Sequence, residues 1–259
     1  MHSQPSVEPI EFSGGAGARL AGTLYRPSSD TEVVGAALLA HCFTCSKDLF
    51  TTTRIAKGLA GGGYQTLAFD LTGLGESGGR LADTTVATNV SDLTQAAVAL
   101  IRLGVGPCVL VGHSLGGAAA ILAASRLHTV TAVVAVASPA SATHVEHLFD
   151  AESRRRIRER GSGEVVIGSR PVLIGRDFLD DLRRHDVAAA AAGLGRPLLV
   201  VQAGADDVVG REQTEALGVA GSATRRTVAG ADHLFSDRRH SDELVGVILE
   251  WLAEQRTGR

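Results

Sequence analysis

The 259-residue chain has few cysteines and aromatic residues, little net charge and no long apolar run. Its three cysteines are too few, and odd in number, for a disulfide scaffold. The formal net charge of −3 lacks the basic excess of a typical nucleic-acid-binding protein. No segment approaches the roughly 18 apolar residues of a membrane-spanning helix, and the first residues lack the pattern of a secretory signal. We therefore expect a cytoplasmic protein that binds neither nucleic acid nor membrane.

Glycine is abundant, with 31 residues in a chain that is 44% hydrophobic, which is typical of tight turns in a packed domain. Short apolar runs alternate with segments of 3.6-residue periodicity. The runs predict buried strands at residues 33–40, 65–69, 108–111, 130–137 and 197–202, and a last strand is predicted at residues 224–228. The periodic segments predict helices at residues 48–60, 84–103, 115–127, 211–219 and 241–253. This alternation predicts one α/β domain over residues 1–259, with a mostly parallel sheet of about eight strands flanked by helices.

Two segments depart from the alternation. Residues 12–19 and 20–26 flank a glycine-rich turn and predict a leading antiparallel pair. Residues 139–195 predict a small cap insertion that holds a basic run at 154–160, two short strands about a turn, a helix at 176–182 and an alanine-rich helix. We interpret the basic run as a solvated helix face, with a surface for an anionic substrate or partner as the alternative.

The segment Gly-His-Ser-Leu-Gly at residues 112–116 lies between an apolar strand and an apolar helix. In such a context G-x-S-x-G predicts a sharp turn that presents the serine oxygen and leaves the next N–H free. Glycine abundance weakens the bare pattern, since Ser77 in residues 75–79 also matches it, but no apolar helical period follows Ser77. We therefore predict that Ser114 is a nucleophile and that the N–H of Leu115 stabilises an oxyanion.

A serine nucleophile needs a base, and the base needs an orienting acid. Of the nine histidines, His233 lies in a loop between the last predicted strand and the final helix, where sites of parallel sheets form. Asp206 and Asp207 follow the preceding strand, and adjacent loop residues point apart, so only one of them can serve as the acid. For His144 and His147 in the cap, metal binding is the alternative to solvated side chains.

A second oxyanion donor is expected in the loop after the strand at 33–40. The backbone N–H of Phe43 is the candidate. The neighbouring Cys42-x-x-Cys45 pattern also suggests thiol redox chemistry, but a second cysteine pair that would complete a zinc site is missing. We favour a packing role for both cysteines, and we expect any disulfide between them to be incidental.

The order Ser114, Asp206, His233, with an oxyanion loop upstream, resembles the α/β-hydrolase superfamily from about residue 10 to 255. Several stretches are similar to the hydrolase module that many bacterial proteins join to an OsmC-like domain: HCFTCSKD, FDLTGLGESGG, GHSLGGAA, DDVVG and GADHL. The chain ends with its final helix, so the resemblance implies a stand-alone hydrolase. The family's D-x-x-V acid pattern fits Asp206 and Val209 better than Asp207. Cys42 replaces the glycine of the usual His-Gly-x oxyanion signature.

The resemblance implies a serine hydrolase that needs no cofactor and no metal. We expect a carboxylesterase acting on small-molecule acyl esters of short to medium chain length. A peptidase or thioesterase with the same triad, a non-catalytic binding module on the same fold and a thiol redox protein using Cys42 and Cys45 are the alternatives. The sequence leaves the oligomeric state open.

Overall fold

The computed structural model describes residues 4–219 and 223–257. Its strands are, in chain order, β1 (Ser6–Ser13), β2 (Arg19–Arg26), β3 (Gly35–Ala40), β4 (Tyr64–Phe69), β5 (Val109–His113), β6 (Ala132–Val136), β7 (Ser162–Ile167), β8 (Arg170–Gly175), β9 (Leu198–Ala203) and β10 (Thr224–Val228). Eight of them form one sheet in the order β1-β2-β4-β3-β5-β6-β9-β10. Strand β2 pairs antiparallel with β1 and with β4, and the remaining pairs of this sheet are parallel.

Helices connect the parallel strands and cover both faces of the sheet. They are α1 (Phe50–Gly61), α2 (Val86–Arg102), α3 (Leu115–Ala124), α4 (Ala151–Arg160), α5 (Arg176–Leu182), α6 (Val187–Ala192), α7 (Arg211–Val219) and α8 (Arg238–Thr257). Short 3₁₀ helices lie at Leu81–Asp83 and Ala142–Leu148. None of the helices in the described ranges is long and apolar enough to cross a membrane.

Two apolar clusters, one on each face, explain why the central strands are continuous apolar runs. Along β3, Leu38 packs in the cluster formed with α2 and α3, while Leu39 packs in the cluster formed with α1 and α8. Successive side chains of a strand point to opposite faces, so a strand covered on both sides must be apolar at every position. The sequence-based prediction of a mostly parallel, helix-flanked sheet is confirmed.

The leading pair is antiparallel as expected, but the predicted bounds of its first strand are wrong. That strand is Ser6–Ser13, and residues 14–18 form the turn, in which the N–H of Gly14 donates to the carbonyl of Ala18 at 2.7 Å. Gly17 has a φ of +81°, a conformation that glycine adopts readily. Helix α8 is also longer than predicted at both ends, because polar residues extend it beyond its apolar stripe.

Between β6 and β9, the chain forms the 3₁₀ helix Ala142–Leu148, α4, the antiparallel β7–β8 hairpin, α5 and α6. The basic run lies on α4, where Arg154 and Arg158 approach the carboxylate of Glu146 within 4.0 and 3.8 Å. Arg183, which follows α5, approaches the same carboxylate within 3.3 Å. These arginines are partly or largely exposed, as the interpretation of a solvated face requires.

Two glycines in the α1–α8 helix pair predict opposite effects of the same substitution. Gly→Ala in a helix gains about 1 kcal/mol from propensity. A Cβ on Gly58 of α1 would lie 2.3 Å from Cγ1 of Val245, a stiff β-branched side chain, whereas one on Gly246 of α8 meets no atom within 4 Å. We expect Gly58→Ala to lower the free energy of unfolding by about 1–3 kcal/mol through overpacking. Gly246→Ala is the matched control and should raise the free energy of unfolding. Urea unfolding of both variants measures the difference. A Gly58→Ala protein that is more stable than the wild type would contradict the packing argument.

Candidate active site

Ser114 occupies a sharp turn between β5 and α3. Its backbone has φ 55° and ψ −125°, a strained combination for a residue with a side chain. Glycines make the turn fit: a Cβ on Gly112 would lie 2.2 Å from the carbonyl oxygen of Gly116, and a Cβ on Gly116 would lie 2.3 Å from that of His41. The N–H of Ser114 donates to the carbonyl of Val136 on β6 at 2.8 Å, which ties the turn to the sheet.

Asp206 and His233 lie on separate loops and meet through a hydrogen bond. Nδ1–H of His233 donates to Oδ2 of Asp206 at 2.9 Å, which leaves Nε2 of the ring as the basic nitrogen. Oδ1 of Asp206 accepts from the N–H groups of Val208 and Val209 at 2.9 and 2.8 Å. Burial alone would raise the pKa of Asp206, but His233 and these two N–H groups hold that pKa below its ordinary value. Asp206 therefore stays ionised at neutral pH.

The two loops are also joined through the main chain. The N–H of Ala205 donates to the carbonyl of Ala231 at 2.8 Å, and the N–H of Gly204 donates to that of Val228 at 2.8 Å. On α1, the hydroxyl of Thr51 donates to the carbonyl of Leu234. His233 is therefore held from the acid loop and from the helix on the same face.

His113, the residue before Ser114, supports the loop that carries His233. Nε2 of His113 lies 2.8 Å from the carbonyl oxygen of His233, and its ring is fully buried with a centroid 5.2 Å from that of His233. Burial, followed by the neighbouring His233, lowers the pKa of His113 to about 3. The ring is therefore neutral at physiological pH and donates its one N–H to the His233 carbonyl.

Two backbone N–H groups in the cleft of Ser114 are the candidates for binding an anion. In the described ranges, the N–H groups of Phe43 and Leu115 have no protein acceptor. Both residues line the cleft that Ser114 and His233 also line, and Leu115 opens helix α3. Unsatisfied N–H groups at a helix start can stabilise negative charge. Ser114 and His233 share this cleft without a hydrogen bond between their side chains in the described part of the chain.

The loop that carries Phe43 is anchored at both ends by buried polar side chains. Nδ1–H of His41 donates to the carbonyl of Cys42 at 2.8 Å, while its Nε2 accepts from the N–H of Leu71 at 3.1 Å. Burial lowers the pKa of His41, in agreement with a neutral ring that both donates and accepts. At the other end, the carboxylate of Asp70 accepts from the N–H of Lys47 at 2.6 Å.

Cys42 and Cys45 form a disulfide within this loop, a pairing that the sequence left open. The ring of Phe43 stacks on that of Phe178 from α5, with centroids 5.1 Å apart and planes 13° from parallel. Phe149 packs beside both rings, at 6.3 Å from Phe43 and 6.5 Å from Phe178. The loop is therefore restrained by a covalent bond and by an aromatic contact to the segment between β6 and β9.

The cleft has a volume of about 1090 Å³ and is lined from several elements. Ser114, His233 and Asp207 all line it, and the carboxylate that bonds to His233 is that of the neighbouring Asp206. Further lining comes from the segment between β6 and β9, through His144, Val145, His147, Leu148, Ile167, Gly168, Arg170, Pro171 and Val172. The site is thus open to small molecules and bordered by that segment on one side.

The alternative nucleophile Ser77 and the alternative metal ligands His144 and His147 are engaged in other contacts. The hydroxyl of Ser77 donates to the carbonyl of Asp70 at 2.6 Å and accepts from the N–H of Ala21 at 2.9 Å, so it is engaged in loop structure. Nε2 of His144 lies 2.8 Å from the carbonyl oxygen of Val208, and Nδ1 of His147 contacts the carbonyl oxygen of His144. Within the part of the chain that the structure describes, neither histidine belongs to a group of three or more side chains with the spacing of a metal site.

One acidic group in the described residues has the spacing of a cation site, namely Asp48, Asp70 and Glu76. The ammonium of Lys47 already occupies its centre, at 2.7 Å from Asp48, 2.6 Å from Glu76 and 3.5 Å from Asp70. Burial alone would lower the pKa of Lys47, but these carboxylates raise that pKa well above its ordinary value. The group is therefore a salt-bridge cluster that ties the Phe43 loop to residues 70–76.

Sequence reasoning missed the supporting residues His113, His41, Lys47 and Phe178. His113 stands inside the Gly-His-Ser-Leu-Gly pattern, which indicates the serine and assigns no role to this histidine. In the structure its side chain is buried and supports the catalytic candidate His233. The roles of the other three residues depend on contacts between distant parts of the chain, for which the local sequence carries no signal.

A model of the alpha/beta hydrolase family matches residues 37–247 of this chain. The esterase domain of a Rhodothermus marinus protein is 34% identical and has a TM-score of 0.77, with 95% of this chain and 97% of that chain covered. Est1E of Butyrivibrio proteoclasticus, solved with ferulic acid bound, has a TM-score of 0.83 over 96% of this chain and 99% of its own. At 18% identity, that likeness shows the fold alone.

A curated relative extends the comparison to a different activity. The dihydrolipoyllysine-residue acetyltransferase component of the acetoin cleaving system of Cupriavidus necator is 26% identical over 210 residues. The match covers 69% of this chain and 54% of that protein, so the chain spans about half the length of this relative.

The buried His113 predicts a loss of stability in mild acid. An unfolded chain binds a proton at this histidine near its ordinary pKa of 6.5, whereas the folded protein does not until about pH 3. As pH falls from about 7.5 to 5.5, this difference should lower the free energy of unfolding by about 1 kcal/mol. His113→Gln should reduce the pH-dependent loss by that amount, measured by urea unfolding at both pH values. His128→Gln, at an exposed position, is the control and should show the same fall in the free energy of unfolding as the wild type. If His113→Gln also shows the wild-type fall, the buried His113 is not its cause.

Proposed function

This chain belongs to the alpha/beta hydrolase family, and from that premise we propose that it is a serine carboxylesterase acting on small-molecule esters. The observation that carries the proposal is the hydrogen bond from His233 to Asp206, because His233 lines the same cleft as Ser114 and the candidate donors Phe43 and Leu115. A nucleophile, an oriented base and oxyanion donors around one cavity are the parts that acyl transfer needs. The 34% identical esterase domain supports the same reaction class.

In this mechanism, Nε2 of His233 takes the proton of Ser114 as the serine oxygen attacks the ester carbonyl. The carboxylate of Asp206 holds the ring in the required tautomer and stabilises its protonated form. The N–H groups of Phe43 and Leu115 bind the oxyanion of the tetrahedral intermediate. His233 then protonates the leaving alcohol, and water attacks the acyl-enzyme by the same route. No step uses a metal or cofactor.

Residues 139–195 act in this proposal as a small cap on a single-domain enzyme. Residues of the 3₁₀ helix Ala142–Leu148 and of the β7–β8 hairpin border the cleft, which supports that role. Because the insertion is small, it argues against a deep acyl tunnel, and we therefore propose acyl chains of short to medium length. The cytoplasmic location expected from the sequence stays a prediction.

The reaction class is tested with p-nitrophenyl esters of increasing acyl length, beside an anilide and an acyl-coenzyme A thioester. We expect the short and medium esters to have the highest kcat/KM. Ser114→Ala should lower turnover by at least about four orders of magnitude, because the nucleophile is removed. Ser77→Ala is the matched control for the second G-x-S-x-G segment and should leave turnover of the folded protein within about threefold.

The outcomes separate the alternatives. Faster cleavage of the anilide or the thioester would favour a peptidase or a thioesterase with the same triad. A wild-type protein that neither turns over esters nor reacts with a fluorophosphonate probe at Ser114 would be a binding module. Ester hydrolysis that survives Ser114→Ala but disappears in Cys42→Ser/Cys45→Ser would point to thiol chemistry.

The two adjacent aspartates offer a test of the acid. Asp206→Asn removes the negative charge that stabilises protonated His233 and disturbs its tautomer, so kcat should fall by about three to four orders of magnitude. Asp207→Asn changes a wall residue and should alter kcat by less than about threefold. Steady-state kinetics on a short ester compares the two, and similar losses in both variants would contradict the assignment of Asp206.

A further inference from the structure

We propose that the disulfide between Cys42 and Cys45 positions the backbone N–H of Phe43 as an oxyanion donor, so that reducing the disulfide lowers ester turnover. The inference rests on the proposed function of the same cleft. Cys42 and Cys45 are positioning residues in this proposal, since their sulfurs act on the reaction through the main chain of Phe43.

The disulfide closes a tight turn around the donor. The Cα atoms of Cys42 and Cys45 are 5.3 Å apart, and the N–H of Cys45 donates to the carbonyl of Cys42 at 3.1 Å. Phe43 and Thr44 occupy the two central positions of this turn. The peptide between Cys42 and Phe43 sets the direction of the Phe43 N–H, so a change in the turn redirects the donor.

The turn contains a backbone conformation that needs external support. Thr44 has a φ of 63°, in the left-handed region that β-branched residues disfavour. A residue stays in such a conformation when its surroundings hold it there. A covalent link across the two ends of the turn supplies that restraint, and its loss lets Thr44 relax to negative φ.

The contacts that anchor the loop on either side do not involve sulfur. His41 bridges the loop to the N–H of Leu71, Lys47 donates to Asp70, and the ring of Phe43 stacks on Phe178. These contacts persist in the reduced protein and confine any rearrangement to residues 42–45. A partial loss of turnover in a folded protein is therefore the expected result.

Access through the cleft makes the bond reducible by a small dithiol. Both cysteines line the cleft, but Cys42 is 3% exposed while Cys45 is half-buried. A reagent thiolate attacks Sγ of Cys45, forms a mixed disulfide and releases the thiolate of Cys42, which takes up a proton. The second thiol of the reagent then displaces Cys45, so the protein gains two electrons and two protons while the reagent leaves as its own disulfide.

The test compares the full chain before and after treatment with dithiothreitol. Thiol titration of the denatured protein should rise from one to three thiols per chain. Cys108 supplies the one thiol before reduction, and the reduced Cys42 and Cys45 supply the other two. Complete loss of an oxyanion donor costs about 100- to 1000-fold in kcat, so a displaced donor should cost about tenfold. KM for a short p-nitrophenyl ester should stay within about twofold, because the donor acts mainly in the transition state.

Two variants control for other effects of the reagent. Cys42→Ser/Cys45→Ser should have the low kcat of the reduced wild type and should not respond to dithiothreitol. Cys108→Ser keeps the disulfide and a hydrogen-bonding side chain, so it should show the wild-type kcat and the wild-type response.

Four results would overturn the proposal. In the first, the reduced protein titrates with three thiols but its kcat is unchanged. In the second, reduction raises KM without lowering kcat, and in the third the reduced protein loses its cooperative unfolding transition. In the fourth, protein incubated with oxidised glutathione still titrates with three thiols, because the disulfide does not form. If the oxidised wild type hydrolyses no ester, both the proposed function and this inference are contradicted. Each of the four results above contradicts this inference alone, because none of them requires that ester hydrolysis is absent.

Discussion

The site depends on the close contact of two backbone segments, the turn at Ser114 and the end of β3. A Cβ on Gly116 would lie 2.3 Å from the carbonyl oxygen of His41 and 2.7 Å from that of Ala40, so only glycine permits this approach. The contact brings the start of α3 against the first residues of the Phe43 loop. Two N–H groups from distant parts of the chain thereby reach one cleft, which Ser114 and His233 also line.

Buried polar side chains hold the irregular loops around this contact. Asp70 is fully buried and accepts from the N–H groups of Lys47 and Glu76, while Asp92, whose pKa burial raises, accepts from that of Thr72 at 2.9 Å. A buried carboxylate without such donors would cost several kcal/mol. Loops at the carboxyl edge of the sheet thus gain fixed positions without regular secondary structure, which is what a preorganised site requires.

Local patterns were enough to locate the elements and several candidate residues. Ser114 was singled out by a glycine pair between an apolar strand and an apolar helix. Position after a strand suited Asp206 and Asp207 alike, and only the D-x-x-V pattern of the resembled family favoured Asp206 as the candidate acid. The disulfide was not predictable, because a Cys-x-x-Cys spacing suits a disulfide, a redox pair or a packing role equally. The first strand was misplaced because residues 14–18 are all glycine or alanine, which suit a strand end or a turn equally.

The two candidate oxyanion donors are held by different kinds of force, and this difference has a functional consequence. Leu115 is fixed by steric packing of glycines against backbone, which no change of redox condition can relax. Phe43 is fixed by a disulfide that lines the cleft and by a stack on Phe178, which belongs to the segment between β6 and β9. The Leu115 donor is therefore a property of the turn between β5 and α3, whereas the Phe43 donor depends in addition on a bond that reduction can break.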